Sequence, residues 1–358
     1  MSGDFDRALE LHERSSALHD EYRLAEAESA CREAIAIVRA LEGESPDFVN
    51  MTNDLVRILS DAAKYAEALE EADQAKRALK NLPQFEGEIA SLIRTRALGQ
   101  RGTVLRSLGR YTEAEADLLE AVRVSERELG SDHPQTATSL NSLGMLYKYW
   151  GRYPPALEAY ERAMRIVEAT AGAESADAAG LWHNIGGVHH AAGRFAEAEP
   201  AGRRAWEIRR KLLGDEHRDT VADLCALAGI LDGLERWEES EPMYRRALRF
   251  WERLVGPDHY EIAVLLNNLA GVCAATARPD EAEELYRRAI VIKRRLLGAD
   301  HPELALTLTN LATLMRERDR FEEGRALATE AQRILQGSSL PEEHPLRVYA
   351  TEVLRDLA

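Results

Sequence analysis

The sequence predicts an all-α protein: a solenoid of about eight helical hairpins closed by one further helix. Three observations carry this expectation. A glycine returns every 42 residues, at Gly130, Gly172, Gly214, Gly256 and Gly298. Between successive glycines lie two stretches whose apolar residues recur at helical spacing. A short break with an aromatic residue separates the two, as in Gly109-Arg110-Tyr111, Gly151-Arg152-Tyr153, Gly193-Arg194-Phe195, Glu235-Arg236-Trp237 and Asp319-Arg320-Phe321. A fixed period of this length marks stacked units, none of which buries its apolar face alone. The two or three separate cores that 358 residues would otherwise suggest are therefore not expected.

In chain order the hairpins fall near residues 4–41, 46–82, 89–129, 134–171, 176–213, 218–255, 260–297 and 302–337, giving a repeat region over 1–337. The first is marked by Leu24, Ala27 and Ala34, with Arg14 at a site where an apolar residue is expected. The second is marked by Tyr65, Ala68 and Ala75. From the third onward the text is regular. The turns between hairpins read LGSDHP from Leu129, LLGDEHR from Leu212, VGPDHY from Val255 and LLGADHP from Leu296. Glycine suits the left-handed residue just past a helix end, and Pro134 and Pro302 suit the first turn of the next helix, where a missing N–H costs nothing. Small residues recur in the first helix (Gly102, Gly144, Gly186, Ala228, Ala270, Ala312) and in the second (Ala121, Ala163, Ala205, Ala247, Ala289, Ala331). They let paired helices approach, while Leu143, Ile185, Leu227, Leu269 and Leu311 fill the space beside them. After Gln336 to Ser339, residues 343–358 hold an amphipathic stretch, Pro345 to Leu357, that reads as a capping helix over the last apolar face.

Composition excludes several function classes. A net charge of -16 opposes binding to a phosphate backbone, so no nucleic-acid partner is expected. Cys31, Cys225 and Cys273 stand far apart with no metal-ligand spacing, which fits reduced thiols in a cytoplasm. The opening residues carry Asp4, Asp6, Glu10 and Glu13 rather than the basic start and apolar run of a secretion signal, and no stretch is long enough to insert in a membrane. His133, His217, His259, His301 and His344 all fall at turns, and their recurrence points to a capping role. His189 aligns with core positions. His183 and His190 are seven residues apart on one helix, about 10 Å along its axis, too far to share one zinc ion. HExxH, GxSxG and phosphate-loop patterns are absent, so neither an enzyme, a metal nor a cofactor is expected. The pairs Arg203-Arg204, Arg245-Arg246 and Arg287-Arg288 follow Glu199, Glu241 and Glu283-Glu284 by four residues, the spacing of ion pairs on a solvated helix face.

The segment LNNLAGVCAATARPDEAEELYRRAIVIKRRLLGADHP from Leu266 resembles the 42-residue tetratricopeptide repeat of kinesin light chains and their bacterial relatives. The resemblance covers about residues 89 to 337, with weaker copies toward the N-terminus. It implies a right-handed superhelix whose concave wall is lined by the first helix of each hairpin, and a protein or peptide segment lying along that wall. Equivalent inward positions hold Asn53 and Asp54, Gly99 and Gln100, Asn141 and Ser142, His183 and Asn184, Asn267 and Asn268, and Thr309 and Asn310. One turn further lie Arg57, Arg106, Lys148, Tyr149, His190 and Arg316. The resemblance implies that such asparagines grip the main chain of a bound peptide, because one amide both donates and accepts. An asparagine in a packed hairpin equally bonds to the neighbouring repeat, and both readings stand. The sixth hairpin departs from the pattern with Cys225, Ala226, Asp232 and Gly233.

The expected function is a cytoplasmic scaffold or adaptor that binds a protein or peptide segment; a sensor that flexes on binding a ligand is the alternative. Arg57, Arg96, Arg106 and Lys148 gather in the second to fourth hairpins, which makes an acidic segment the natural partner there. Gly180, Gly187, Gly229, Gly233 and Gly271 fall on or beside the inward face of the fifth to seventh hairpins. They serve either close packing or a pocket for a bulky apolar anchor flanked by His183, Asn184, Asn267 and Asn268.

Overall fold

The computed structural model describes residues 2–82, 85–338, 340, 342 and 344–357. Residues 1, 339, 343 and 358, which bound or link the expected repeat region and closing helix, lie outside these. All the described regular structure is helical, and the chain divides into two compact units, Met1–Asn184 and Ile185–Ala358. The first unit holds α1 (Ser2–Asp20), α2 (Leu24–Glu42), α3 (Pro46–Asp61), α4 (Tyr65–Lys80), α5 (Glu88–Ser107), α6 (Tyr111–Glu128), α7 (Pro134–Tyr149) and α8 (Tyr153–Thr170). The division falls within α9 (Ala176–Ala191). The second unit continues with α10 (Phe195–Leu213), α11 (Arg218–Gly233), α12 (Trp237–Val255), α13 (Tyr260–Ala275), α14 (Pro279–Leu297), α15 (Pro302–Glu317), α16 (Phe321–Gln336) and α17 (Pro345–Asp356).

Local chemistry starts each first helix. The imidazoles of His133, His217, His259, His301 and His344 stand at helix N-caps, where Nδ1 accepts from the backbone N–H two residues on, at 3.0 to 3.3 Å. One of the four donors that every helix start leaves unpaired is thereby satisfied. Proline follows the cap in α7, α15 and α17. The preceding turn is made by glycine, with Gly256 at φ 79° in a region that a side chain disfavours. The break inside a hairpin needs the same conformation. Gly109 supplies it at φ 72°, but Tyr22, Ala63, Glu235, Ala277 and Asp319 adopt it with side chains, at φ 57 to 60°.

Small residues then let each pair close. A methyl group on Gly102 would meet Leu118 Cγ at 2.6 Å, and one on Gly144 would meet the Tyr160 ring at 2.6 Å. Core residues in the first unit include Val56, Leu59 and Val104; in the second they include Tyr244, Leu269, Leu308 and Met315. Neighbouring first helices touch directly: α1 with α3, α3 with α5 and α5 with α7 in one unit, α11 with α13 and α13 with α15 in the other. No such contact joins neighbouring second helices among the described residues, so in each unit the first helices form the inner layer. Helix α17 packs on α15 and α16, burying Val353 and Leu357 against Ala312 and Ala328. In α1 the register differs from expectation. Arg14 is exposed, and Ser15 beside it is buried with its hydroxyl donating to the Ala27 carbonyl at 2.9 Å.

The outer face carries a ladder of ion pairs. Arg152, Arg236, Arg278 and Arg320 begin second helices and reach back to Glu115, Glu199, Glu241 and Glu283 of the preceding hairpin, at 2.6 to 2.9 Å. The expected four-residue pairs are present as well, Arg203 with Glu199, Arg245 with Glu241 and Arg287 with Glu283. The same arginines also extend to Glu239, Glu281 and Glu323 one hairpin on, so in the second unit the lattice ties the fifth to the eighth hairpins in series.

Candidate functional site

In the first unit the inner layer opens with a closed charge network. Asp54 on α3 receives His12 from α1 at 3.0 Å, Arg96 from α5 at 2.5 Å and Arg57 from its own helix at 3.4 Å. Burial pushes its carboxyl up, but the His12 hydrogen bond and the nearby positive charges outweigh it and hold Asp54 below the usual range. Arg96 also donates to Asn50, and Arg57 to His19, whose other ring nitrogen lies 2.7 Å from Asp61. Arg57 and Arg96, expected to add to a basic stretch, thus share the single carboxylate of Asp54. Asn53 is 1% exposed and offers no surface.

Two turns along the same layer the balance reverses. Arg106 on α5 and Lys148 on α7 converge on the Tyr149 ring, at 4.4 and 4.9 Å from its centroid, and Tyr149 is 55% exposed. No carboxylate pairs with either cation among the described residues. Burial holds Lys148 below the ordinary lysine value; Arg106 adds to this and Tyr149 opposes it. Beneath lies Tyr160, fully buried, its hydroxyl without a hydrogen-bond partner among the described residues. Gln100 on α5 and His183 on α9, also on first helices, are half-buried.

The asparagines answer the open question in part. Asn184 donates to Asn141 at 2.8 Å, and Asn310 donates to Asn267 at 3.1 Å, each bond joining neighbouring first helices. The bond to the neighbouring repeat is thus present at both pairs, and Asn267 also donates to Asn268 at 3.2 Å. Arg316 is held by Asp356 of α17 at 2.8 Å.

The second unit's inner face differs at hairpin six. Asp232 accepts from the Tyr244 hydroxyl at 2.8 Å, and burial pushes its carboxyl above the usual range against that hydrogen bonding. A methyl group on Gly229 would lie 3.5 Å from Tyr244 Oη and 3.7 Å from Nε2 of the exposed His190. One on Gly233 would strike the Phe195 ring at 2.3 Å, so that glycine serves packing. At Gly271 the nearest group is Tyr286 Oη at 3.6 Å. The floor under Gly229 and Gly271 is thus tyrosine hydroxyl, not the apolar lining expected around a bulky anchor. Sequence reasoning noted Asp232 only as a departure from the amide pattern and missed Tyr244, whose place on a second helix reads as plain core.

No three His, Cys, Asp or Glu side chains converge as a metal site among the described residues. Burial pushes the thiols of Cys31 and Cys225 to about 12 and that of Cys273 to about 11, so none is poised as a nucleophile. No described helix is long and apolar enough to cross a membrane.

Stacked hairpins with a polar inner layer and an ion-paired outer face define a repeat scaffold. The tetratricopeptide repeat family matches residues 94–169, 177–253, 224–295 and 261–337, more than half of the chain, and the chain belongs to that family. No curated protein sequence matches it. Among solved structures it is similar to BtubC (BKLC) from P. vanneervenii, at 22% identity and TM-score 0.52 over 66% of this chain and 91% of that one. A Rap protein complexed with Competence and Sporulation Factor is similar at 13% identity and TM-score 0.61 over 98% of each chain. NprR in complex with its cognate peptide NprX is similar at 16% identity and TM-score 0.57, over 82% of this chain and 81% of that one. At these identities the likeness concerns the fold.

Proposed function

We propose that the chain is a non-enzymatic protein-interaction scaffold, a cytoplasmic adaptor, whose inner layer in the first unit takes up an acidic segment of a partner. The observation that carries this reading is the convergence of Arg106 and Lys148 on exposed Tyr149 with no carboxylate against either. Like charges gathered this way repel, and in a chain of net charge -16 with its other inner arginines paired, an incoming carboxylate relieves that repulsion. Gln100, Asn141, Asn184 and His183 border the same layer and supply donors and acceptors for a main chain. The peptide complex of the similarly folded NprR, and the Rap complex, support the same use of the fold here.

Fluorescence anisotropy with a labelled peptide rich in Asp and Glu tests this. Arg106→Met and Lys148→Met should each weaken binding about tenfold or more, the scale of one charge-assisted hydrogen bond. Raising salt should weaken it further, because such attraction is screened over about 8 Å at physiological ionic strength. Burial lowers the Lys148 pKa, so its ammonium is lost, and binding with it, as pH rises toward but not yet to the ordinary lysine value of 10.5. Lys148→Arg should bind without that loss. Affinity indifferent to both methionine variants would sink the reading.

A further inference from the structure

Hairpin six places an acid among aromatic rings. Asp232 lies on α11 between two glycines, and side chains from neighbouring elements gather there. Tyr244, 1% exposed, donates to Asp232 Oδ2 at 2.8 Å. His190 and Tyr244 flank the space where Gly229 lacks a side chain, at 3.7 and 3.5 Å from where its Cβ would stand. The Phe195 ring occupies the space left by Gly233 and meets the His190 ring edge to face, with centroids 5.4 Å apart. Asn268 of α13 adds a half-buried amide beside the Tyr244 hydroxyl.

We infer that Asp232, Phe195, Tyr244 and the space over Gly229 form a pocket for a cationic side chain, the ammonium of lysine or the guanidinium of arginine. Three observations carry it. Asp232 faces no lysine or arginine among the described residues, and its Oδ1, with the buried Ser240 hydroxyl of α12 close by, makes no full hydrogen bond there. A partly buried carboxylate of this kind gains most from an incoming positive charge. The aromatic rings gathered around it favour the same charge. Glycine at position 229 leaves the space beside the Tyr244 hydroxyl and the His190 ring without a side chain. The position is also set apart within the repeat: Asp232 stands 84 residues after Lys148, at the same point of its first helix, with the opposite charge.

The inference deepens the segment-binding reading and rests on it for its biological ligand, but its test does not. N-acetyl-lysine methylamide, N-acetyl-arginine methylamide and the neutral N-acetyl-norleucine methylamide are titrated against the full chain by saturation-transfer NMR. Saturable binding of the lysine or arginine probe is expected, with none for norleucine. Asp232→Asn should reduce it at least tenfold with helicity retained. Should that variant fail to fold, Phe195→Leu, which keeps the carboxylate, should still weaken binding several-fold. Equal signals from lysine and norleucine probes, or binding untouched in the folded variants, would overturn the pocket. If the acidic peptide binds through Arg106 and Lys148 while the lysine probe does not, the pocket alone falls. If the lysine probe binds and no acidic peptide does, the pocket stands without that reading.

Discussion

At the scale of single residues, the backbone of the hairpin break sets a cost that side chains reveal. Gly109, Gly151 and Gly193 fill a left-handed position that Glu235, Ala277 and Asp319 fill with a Cβ. The left-handed conformation costs such residues about 1 kcal/mol or more, partly offset by glycine's larger unfolded-state entropy. Glu235→Gly and Asp319→Gly should therefore each stabilise the chain by about 0.5 kcal/mol, read as a raised urea midpoint. Glycines inside helices divide by what lies opposite them. Gly144→Ala drives a methyl group into the buried Tyr160 ring at 2.6 Å and should cost about 1–3 kcal/mol. Gly271→Ala meets only Tyr286 Oη at 3.6 Å, an ordinary contact, and should gain up to about 1 kcal/mol from helix propensity. The opposite signs would separate packing glycines from those that leave the inner face open.

At the scale of the element, the caps at His259, His301 and His344 make their helix starts sensitive to protons. The cap works only while Nδ1 is an acceptor, and burial lowers the pKa of His259, His301 and His344 below the ordinary 6.5. The folded state then binds protons less readily than the unfolded one. The contribution is complete above 6.5 and is lost as pH falls from there through the depressed folded values. Thermal melts at about pH 7.5 and about pH 5.5 should show a larger fall for the wild type than for the triple variant His259→Asn, His301→Asn, His344→Asn, since asparagine caps without titrating. Equal falls in both proteins would locate the sensitivity elsewhere. The caps were legible in the sequence because they repeat with the turn. The sharing of Asp54 by Arg57 and Arg96 was not, because it joins α3 to α5 and α1 through contacts that no local spacing encodes. The asparagines were legible as positions but not as partners: whether an amide faces a ligand or the next helix depends on how far apart neighbouring first helices stand.

At the scale of the whole chain, stability passes from hairpin to hairpin, and the described C-terminal helix ends that series by covering α15 and α16. Ending the chain after Gly337 should expose Ala312, Ala328 and Leu327 and lower the melting temperature; an unchanged melt would show that α17 contributes no cover.

The outer ladder also makes the repeats interchangeable parts. Arg278 meets Glu241 as Arg236 meets Glu199, and Glu235 and Ala277, which precede the two arginines, share one backbone conformation at φ 57 and 58°. Excising Arg236 to Ala277 removes one 42-residue period and joins Glu235 to Arg278, which then finds Glu199 where its own glutamate had been. Such a shortened chain should keep its helicity per residue and melt cooperatively. Removing only Arg236 to Ala275 leaves the following helix two residues out of phase with its neighbour, and it should aggregate. Whole periods can thus be gained or lost by the gene without reinventing an interface, a tolerance to duplication that the repeating salt bridges build into the junctions between the fifth and eighth hairpins.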